Sequence, residues 1–321
     1  MGEKKRVIGF DMGGTKMLAV VLDEEYKEKG RAKMRTPIGA GNEKMLAAIA
    51  ELVTEALDDA DTRASEVAAI GIAVPGPIDR ERGHVIDMPN AGMHDFALRD
   101  ELEKKIGITV VLENDVNAGT YGEYVAGAAK GRDNVIGVFP GTGVGGGIII
   151  GGKLYRGRTG SAGEVGHMII DAGGRRCGCG KHGCLEALSS KTAIAKELVH
   201  LALNGQAPTV LSKAGTDIGK IKSSLIEKAM DAGETSVIEV VERAAWYLGV
   251  GLGSLVDIFD PDVIVLGGGL VEKLGQRYLG PVEASMREHS MIKSDVELVA
   301  ASLGDDSAIF GAGALALQEQ E

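Results

Sequence analysis

All three cysteines of the chain lie within eight residues of one another, in the glycine-rich run Cys177–Glu186. Three thiolates and one imidazole form the ligand set of a closed, tetrahedral structural zinc site. Buried, inert thiols are a weaker interpretation, because a glycine-rich loop offers little apolar core. A disulfide would leave one thiol over, and cysteines spaced Cys-x-Cys are badly placed to pair with each other. The run therefore predicts a zinc site.

Two histidines qualify as the fourth zinc ligand, His167 and His182. The spacing favours His167, because His182 lies only two residues from Cys184 and ligation by both residues would crowd the chain. Two carboxylates, Glu164 and Glu186, flank the cluster. They are either solvated surface acids or parts of a polar pocket that the metal holds rigid.

Two glycine-rich turns share one design, with a short apolar run before the turn and another after it. The first turn, Met12–Thr15, follows a run that ends at Asp11, and the second is Gly141–Gly143. Two similar hairpins far apart in the chain suggest a duplicated domain. Backbone N–H groups and threonine hydroxyls suit phosphate oxygens, so the two turns are candidates for gripping a polyphosphate. Asp11 is placed to hold Mg²⁺ through water.

Other nucleotide motifs are disfavoured. Gly141–Gly146 satisfies G-x-G-x-x-G, but a β-run follows where the dinucleotide fingerprint needs a helix. No glycine is followed by Gly-Lys-Ser/Thr at the Walker spacing. We therefore expect no nicotinamide cofactor and no P-loop.

A further carboxylate, Asp115, follows the predicted strand Ile108–Leu112. Ligands of open α/β sheets bind outside the carboxyl ends of the strands, which makes Asp115 a candidate general base. Its alternative role is to cap the helix that follows, and the two roles are compatible.

Composition limits the classes of function. The chain has 321 residues, enough for two domains, and its formal net charge is −11. Nucleic acid and anionic membranes are therefore not expected as partners. Its apolar runs are strand-sized and too short to cross a bilayer, and no signal peptide is recognisable. We expect a cytoplasmic protein, in which thiols stay reduced and bind metal.

The elements that must position these residues alternate between strands and helices. A predicted helix begins with Asn42 as its N-cap, and a long helix covers Val237–Phe259 until Asp260-Pro261 ends it. The other predicted elements are strands over Val7–Asp11, Met17–Leu22, Val67–Val74 and Asp262–Leu266, and helices over Leu98–Lys105 and Ser307–Leu317.

Six motifs in order resemble those of the ROK family of sugar kinases, bacterial-type glucokinases in particular, and they span essentially the whole chain. They are Asp11–Lys16, Glu113–Ala118, Gly141–Gly147, Glu164–His167, Cys177–Glu186 and Ile264–Gly269. The resemblance implies an α/β, actin-like (hexokinase-type, ribonuclease H-like) fold of two domains with an interdomain cleft. The expected domains are 1–118 plus 303–321, and 119–302 with the zinc loop.

The resemblance also implies ATP-dependent phosphorylation of a hexose, most simply glucose to glucose 6-phosphate, with ATP, Mg²⁺ and structural Zn²⁺. Asp115 would be the general base. The sugar would be contacted by Asn90, Asn114, Asp115, Glu164, His167 and Glu186. Zinc would be held by His167, Cys177, Cys179 and Cys184. The nucleotide would be held by Asp11, Gly13, Gly14, Thr15, Lys16, Gly141, Thr142, Gly143, Gly267, Gly268 and Gly269.

The chain departs from the family pattern after Pro89-Asn90, where Ala91–His94 replaces the usual apolar residue and tryptophan. The departure puts the identity of the sugar in doubt more than the type of reaction. N-acetylmannosamine, N-acetylglucosamine and fructose are alternative substrates because their kinases share many of these motifs, and polyphosphate is an alternative donor to ATP. A non-catalytic sugar sensor is the alternative from another class, and an acetate-kinase-like or chaperone-like ATPase would not need the cysteines. The first turn begins about ten residues into the chain, so no N-terminal DNA-binding domain is expected. A homodimer or dimer of dimers is a family expectation.

Overall fold

The computed structural model describes residues 6–293 and 295–320, apart from the side chain of Asn90. Thirteen strands occur in this part of the chain: β1 Arg6–Met12, β2 Lys16–Leu22, β3 Glu28–Arg35, β4 Val67–Val74, β5 Ile78–Asp79, β6 His84–Met88, β7 Met93–Phe96, β8 Thr109–Asn114, β9 Val135–Pro140, β10 Val144–Ile150, β11 Lys153–Leu154, β12 Val263–Leu266 and β13 Glu297–Ala300.

The same residues form eleven α-helices: α1 Asn42–Asp59, α2 Leu98–Ile106, α3 Asp115–Val125, α4 Leu185–Ser189, α5 Lys191–Leu203, α6 Pro208–Ala214, α7 Ser223–Asp231, α8 Thr235–Phe259, α9 Gly269–Leu274, α10 Gln276–His289 and α11 Ser307–Gln318.

Two five-stranded sheets repeat one topology. The first has the strand order β3-β2-β1-β4-β8 and the second β11-β10-β9-β12-β13. In each sheet the strand before the glycine turn has the strand after the turn on one side and a parallel strand on the other. The repeated order agrees with the duplication predicted from the two hairpins. A separate three-stranded sheet, β5-β6-β7, was not anticipated from the sequence.

The chain divides into two compact units. Unit 1 comprises 1–132, 147–162 and 305–321, and unit 2 comprises 133–146 and 163–304. This grouping differs from the expected boundary after residue 118, because helix α3 packs along α11 and stays with unit 1. The hairpin residues 147–162 are also grouped with unit 1.

Unit 1 contains an interior strand, β4, whose residues are all buried. β4 reads VAAIGIAV, a continuous apolar run typical of a strand covered on both faces. Helix α11 packs so closely that a Cβ added at Gly71 of β4 would lie 1.8 Å from the carbonyl oxygen of Ala312. Glycine at position 71 is therefore what lets the helix backbone reach the sheet.

Unit 2 has its own core, in which the long helix α8 packs against α10, α4 and α5. Residues 235–259 form α8, so the predicted helix begins two residues earlier than expected. The expected cap of α1 is wrong by one residue: Asn42 is the first helical residue, and Gly41, with φ of 81°, holds the cap position. No side chain caps this helix, since glycine has none to offer.

Candidate functional site

The candidate base Asp115 lies where strand β8 passes directly into helix α3. Asn114 is the N-cap of this helix, and its Oδ1 accepts hydrogen bonds from the backbone N–H of Val116 at 3.0 Å and of Asn117 at 3.2 Å. The Asn114 Nδ2 donates to Oδ1 of Asp115 over 3.1 Å. Asn114 therefore both caps the helix and binds the side chain of Asp115. Asp115 is the first residue of the helix, not its cap, and is half-buried.

Burial raises the pKa of Asp115 to about 6, although hydrogen bonds from Val116 and Asn114 oppose the shift. Burial also raises the pKa of Asp11 to about 7, with the negative charge of Asp115 as the next cause. The negative charge of Asp115 therefore disfavours ionisation of Asp11. A pair of this kind favours either a shared proton or a bound cation.

The first glycine turn lies beside this pair. Lys16 forms an ion pair with Asp305, which raises the pKa of the Lys16 ammonium group. Gly13 lies inside the turn, where an added Cβ would be 2.6 Å from the carbonyl oxygen of Lys16. Gly14 and Thr15 complete the turn, and Thr15 is exposed. Within unit 1, Asp11 has both Asp115 and Lys16 of the turn as electrostatic neighbours.

Glu113 is a residue to which the sequence assigned no role. Its carboxylate is only 3% exposed. Oε2 accepts from Nε of Arg156 over 2.7 Å and lies 3.6 Å from Nε of Arg80, while Oε1 accepts from the N–H of Asn114 at 3.0 Å and from Nδ2 of Asn117 at 3.1 Å. One indication of such a role was present in the sequence, a charged residue at the end of the apolar strand β8.

The four predicted zinc ligands converge in unit 2. One ligand atom from each of His167, Cys177, Cys179 and Cys184 lies within 4.8 Å of all the others. Sγ of Cys179 is 3.6 Å from Sγ of Cys184, and Sγ of Cys177 is 3.8 Å from Nδ1 of His167.

His182 is the alternative ligand, and it does not belong to this group. Its Nδ1 lies 3.0 Å from the carbonyl oxygen of Gly174, with which it can form a hydrogen bond. The geometry thus favours His167.

The Cys₃His group fits a structural zinc ion. Ligand atoms bound tetrahedrally at ~2.0–2.3 Å from zinc stand roughly 3.3–3.8 Å apart, close to the separations found here. Burial raises the pKa of the Cys177 thiol to about 12 and also raises that of Cys184. These sulfur atoms become thiolates at neutral pH only with a cation beside them.

The carboxylates beside the cluster differ in their surroundings. Glu164 is exposed, and its Oε2 lies 3.9 Å from Nε2 of His167, the ring nitrogen that faces away from Cys177. Glu186 is half-buried, with Oε1 3.5 Å from Sγ of Cys177 and Oε2 accepting from the N–H of Val144 over 3.2 Å. Glu186 therefore connects the cysteine cluster to the second glycine turn.

The glycine turns of unit 2 are tightly constrained. In the turn Gly141–Gly143, the N–H of Gly141 donates to the carbonyl oxygen of Gly143 over 2.8 Å, and Thr142 is exposed. A further glycine run, Gly267–Gly269, joins β12 to α9. A Cβ added at Gly267 would lie 2.4 Å from the ring of Phe139.

Two remaining predictions bear on partners. Asn90 lies in a short 3₁₀ turn, Pro89–Ala91, but its side chain falls outside the described residues, so its contact with sugar stays a prediction. In the described parts of the chain, no helix has both the length and the apolar character that a membrane crossing requires. The oligomeric state also stays a prediction.

Comparison with known proteins agrees with this geometry. The model of the ROK family matches residues 7–319. A glucokinase from Streptomyces coelicolor is 35% identical over 315 residues, which cover 96% of each chain. The crystal structure of a ROK family glucokinase from Streptomyces griseus in complex with glucose and AMPPNP is 36% identical. Its TM-score is 0.82, and the match covers 98% of this chain and 99% of that one. These similarities confirm the predicted α/β, actin-like sugar kinase fold.

The similar proteins also include a regulator. The xylose repressor of Bacillus subtilis is 33% identical over 250 residues, which cover 77% of this chain and 60% of the repressor. The glucokinases among the similar proteins identify an ATP-dependent hexokinase, while the presence of the repressor leaves the exact sugar open.

Proposed function

We propose that this chain, which belongs to the ROK family, is an ATP-dependent sugar kinase that converts glucose to glucose 6-phosphate. The observation that carries the proposal is the carboxylate of Asp115, held by Asn114 at the start of α3 with its pKa at about 6. At neutral pH most of it is ionised and able to accept a proton. The glucokinases similar to this chain support the class of reaction.

In the proposed reaction Asp115 accepts the proton of a sugar hydroxyl as the oxygen attacks the γ-phosphorus of ATP. The bond between that phosphorus and the β,γ-bridging oxygen breaks, and ADP leaves. Such a transfer depends on positioning and charge neutralisation more than on covalent chemistry by the protein. A correctly placed general base is typically worth ~10²–10⁴-fold in rate.

The cation of the Mg–ATP substrate suits the acidic pair. The negative charge of Asp115 raises the proton affinity of Asp11, and a divalent cation near Asp11 would relieve this repulsion. We assign the nucleotide phosphates to the glycine turns, with Lys16 and Thr142 as side-chain contacts and with Asp11 acting through the Mg²⁺ ion. The backbone contacts are assigned to Gly13, Gly14, Thr15, Gly141, Gly143, Gly267, Gly268 and Gly269.

The sugar hydroxyls are assigned to carboxylates, amides and one imidazole. Hydroxyl groups both donate and accept, and a site of this kind rejects analogues that lack one of them. The assigned residues are Asn90, Asn114 and Asp115 of unit 1, and Glu164, His167 and Glu186 of unit 2. Zinc held by His167, Cys177, Cys179 and Cys184 would fix the ring of His167 through Nδ1 and leave Nε2 for the sugar.

A panel of hexoses tests the proposal. Purified chain is assayed with ATP, Mg²⁺ and glucose, N-acetylmannosamine, N-acetylglucosamine or fructose, and ADP release gives kcat/KM for each sugar. We expect glucose to give the highest value. Another sugar in first place would change the substrate but keep the reaction.

The same panel addresses the sugar sensor and the donor. Sugar binding by calorimetry without ADP release for any hexose would replace the kinase with a sensor. Repeating the best sugar with polyphosphate in place of ATP separates the two donors.

A further inference from the structure

A buried charge network stands behind the candidate base on the side of β8. Glu113 is held by the guanidinium of Arg156 and approached by that of Arg80, and burial together with Arg156 lowers the pKa of Arg80. Two cations on one buried carboxylate form a fixed arrangement, since removing either kind of partner leaves a charge unpaired in the interior. Burying the charge of Glu113 costs desolvation free energy, and its carboxylate has no evident role in packing.

The other oxygen of Glu113 points at the residues that hold Asp115. Oε1 accepts from the N–H of Asn114, whose side chain both caps α3 and donates to Asp115. It also accepts from Nδ2 of Asn117, which is 3% exposed and lies one turn into the helix. Three hydrogen bonds of 3.1 Å or less thus link Arg156 to Glu113, Glu113 to the backbone of Asn114, and the side chain of Asn114 to the carboxylate of Asp115.

We propose that Glu113, clamped by Arg156, is a positioning residue that fixes the orientation and the charge state of the general base Asp115. The inference rests on the proposed kinase function and deepens it. Neither Glu113 nor Arg156 touches the reacting atoms in this role. They act by holding the β8–α3 junction in one geometry and by setting the local field.

The field has a definite sign. Glu113 carries a negative charge two residues from Asp115, and Arg156 carries a positive one. Removing Glu113 alone leaves Arg156 without its acidic partner, whereas Arg80 keeps an ion pair with Glu319. The positive charge left behind favours the ionised Asp115 and lowers its pKa. Removing Arg156 alone leaves Glu113 with the more distant Arg80 and raises that pKa. Asp115 in turn acts on Asp11 of β1, whose other charged neighbours are Lys16 on β2 and Asp305 and Asp306 before α11.

Two single variants test the clamp. For Glu113→Gln we expect kcat to fall ~10–100-fold, since a displacement of about 1 Å in a catalytic group has effects of that size. KM for the sugar should change much less. The acid limb of the pH–rate profile should move to lower pH in Glu113→Gln and to higher pH in Arg156→Met, by about half a unit or more in each. Arg156→Lys, which keeps the charge, should restore the position of the limb.

A matched control is available in unit 2. Glu197 also lies between two arginines, 2.9 Å from Arg175 and 3.3 Å from Arg243, but it is partly exposed and belongs to the other unit. Glu197→Gln should leave kcat and the acid limb unchanged. A merely structural role for Glu113 would lower thermal stability without moving the limb in opposite directions in the two variants. That result, or wild-type kcat in Glu113→Gln, overturns the proposal.

A measurement without substrate keeps this proposal distinct from the kinase assignment. The pKa of Asp115 is read by carboxyl ¹³C NMR in the wild type, Glu113→Gln and Arg156→Met. Opposite shifts support the clamp even if no sugar is phosphorylated, in which case only the proposed function fails. An unchanged pKa in both variants, in a chain that does phosphorylate sugar, overturns the clamp alone.

Discussion

At the scale of single residues, two acids of unit 1 carry most of the chemical information. Asp115 and Asp11 both have raised pKa values, of about 6 and about 7, and burial is the first cause in each. Raised values in one small region are typical of functional sites, because an acid retained at a cost to stability usually has a task.

Replacing Asp115 tests the base directly. In Asp115→Asn we expect kcat to fall by ~10²–10⁴-fold, since the amide cannot accept the proton. Sugar affinity by calorimetry should persist, because the shape of the side chain is kept. In the wild type, kcat/KM for sugar at saturating Mg–ATP should rise with pH through about 6, where Asp115 ionises. Activity that is flat from pH 5 to 8 would contradict this assignment.

Asp11 predicts an effect on stability. Its pKa is 3.8 in an unfolded chain and about 7 in the fold, so between these values the folded chain binds a proton that the unfolded chain lacks. Stability therefore falls as pH rises through this window, and the whole cost is present above pH 7. Without nucleotide, Asp11→Asn should raise Tm at pH 8 by a few degrees and change it little at pH 4.

Asp23 supplies the contrast for that experiment. Its pKa is lowered to about 2 by Lys29 and by backbone hydrogen bonds, so its ionised form stabilises the fold above the unfolded value of 3.8. Asp23→Asn should lower Tm at pH 8. A fall in Tm at pH 8 in both variants would mean that Asp11 is not destabilising.

At the scale of elements, the cysteine loop was the best predicted part of the molecule. The three cysteine ligands could be chosen from the sequence because zinc needs particular atom types. Spacing favoured His167 over His182 as the fourth ligand, and the structure groups His167 with the cysteines. Glu113 could not be assigned, because its role depends on Arg80 and Arg156, which are distant in sequence. Strand β3 was missed because five of its eight residues are charged and four are exposed.

The zinc loop makes a prediction that separates the two histidines. The purified chain should carry about one zinc ion, and Cys184→Ser and His167→Ala should lose it, whereas His182→Ala should keep it. The single tryptophan, Trp246, lies in unit 2, so its fluorescence reports on the unfolding of the unit that holds the loop. Its transition should move to lower temperature in the two variants without metal. Zinc retained in His167→Ala and lost in His182→Ala would reverse the ligand assignment.

Helix packing in unit 1 makes a second prediction at this scale. An added Cβ at Gly311 of α11 would lie 1.7 Å from the carbonyl oxygen of Ala118 in α3. Gly311→Ala should therefore destabilise the chain by about 1–3 kcal/mol or more, as overpacking does. Gly280→Ala is the control, since Gly280 lies within α10 with nothing near its Cβ position. It should change stability by less than about 1 kcal/mol, because the gain over glycine is opposed by crowding of the new Cβ against the following Pro281. Equal effects in denaturant melts would contradict the packing argument.

At the scale of the whole molecule, the repeated strand order and the two units follow from one pattern used twice. The repeat could be predicted from the two hairpins in the sequence, because a strand, a glycine turn and a second strand are local features. Which helix joins which unit is a matter of long-range packing. For that reason α3 and residues 147–162 could not be assigned from the sequence.

Deleting the residues after Gly304 tests this organisation. The shortened chain lacks α11, which packs against α3, β4 and β1. We expect the amides of β1 and β4 to lose protection from hydrogen exchange, while unit 2 keeps its zinc because its ligands lie between 167 and 184. Protection of β4 equal to that in the full chain would show that unit 1 does not depend on its last helix.

The position of α11 has a consequence for biosynthesis. A ribosome makes β1 at the start and α11 some three hundred residues later, yet Gly9 and Gly71 are shaped for that late helix. Unit 2 has every residue it needs once Gly304 has been added, so the later half of the protein can mature before the earlier half. Until α11 is made, β1 and β4 expose the apolar face that this helix later covers. Chaperones that recognise such surfaces would bind the nascent polypeptide at these strands.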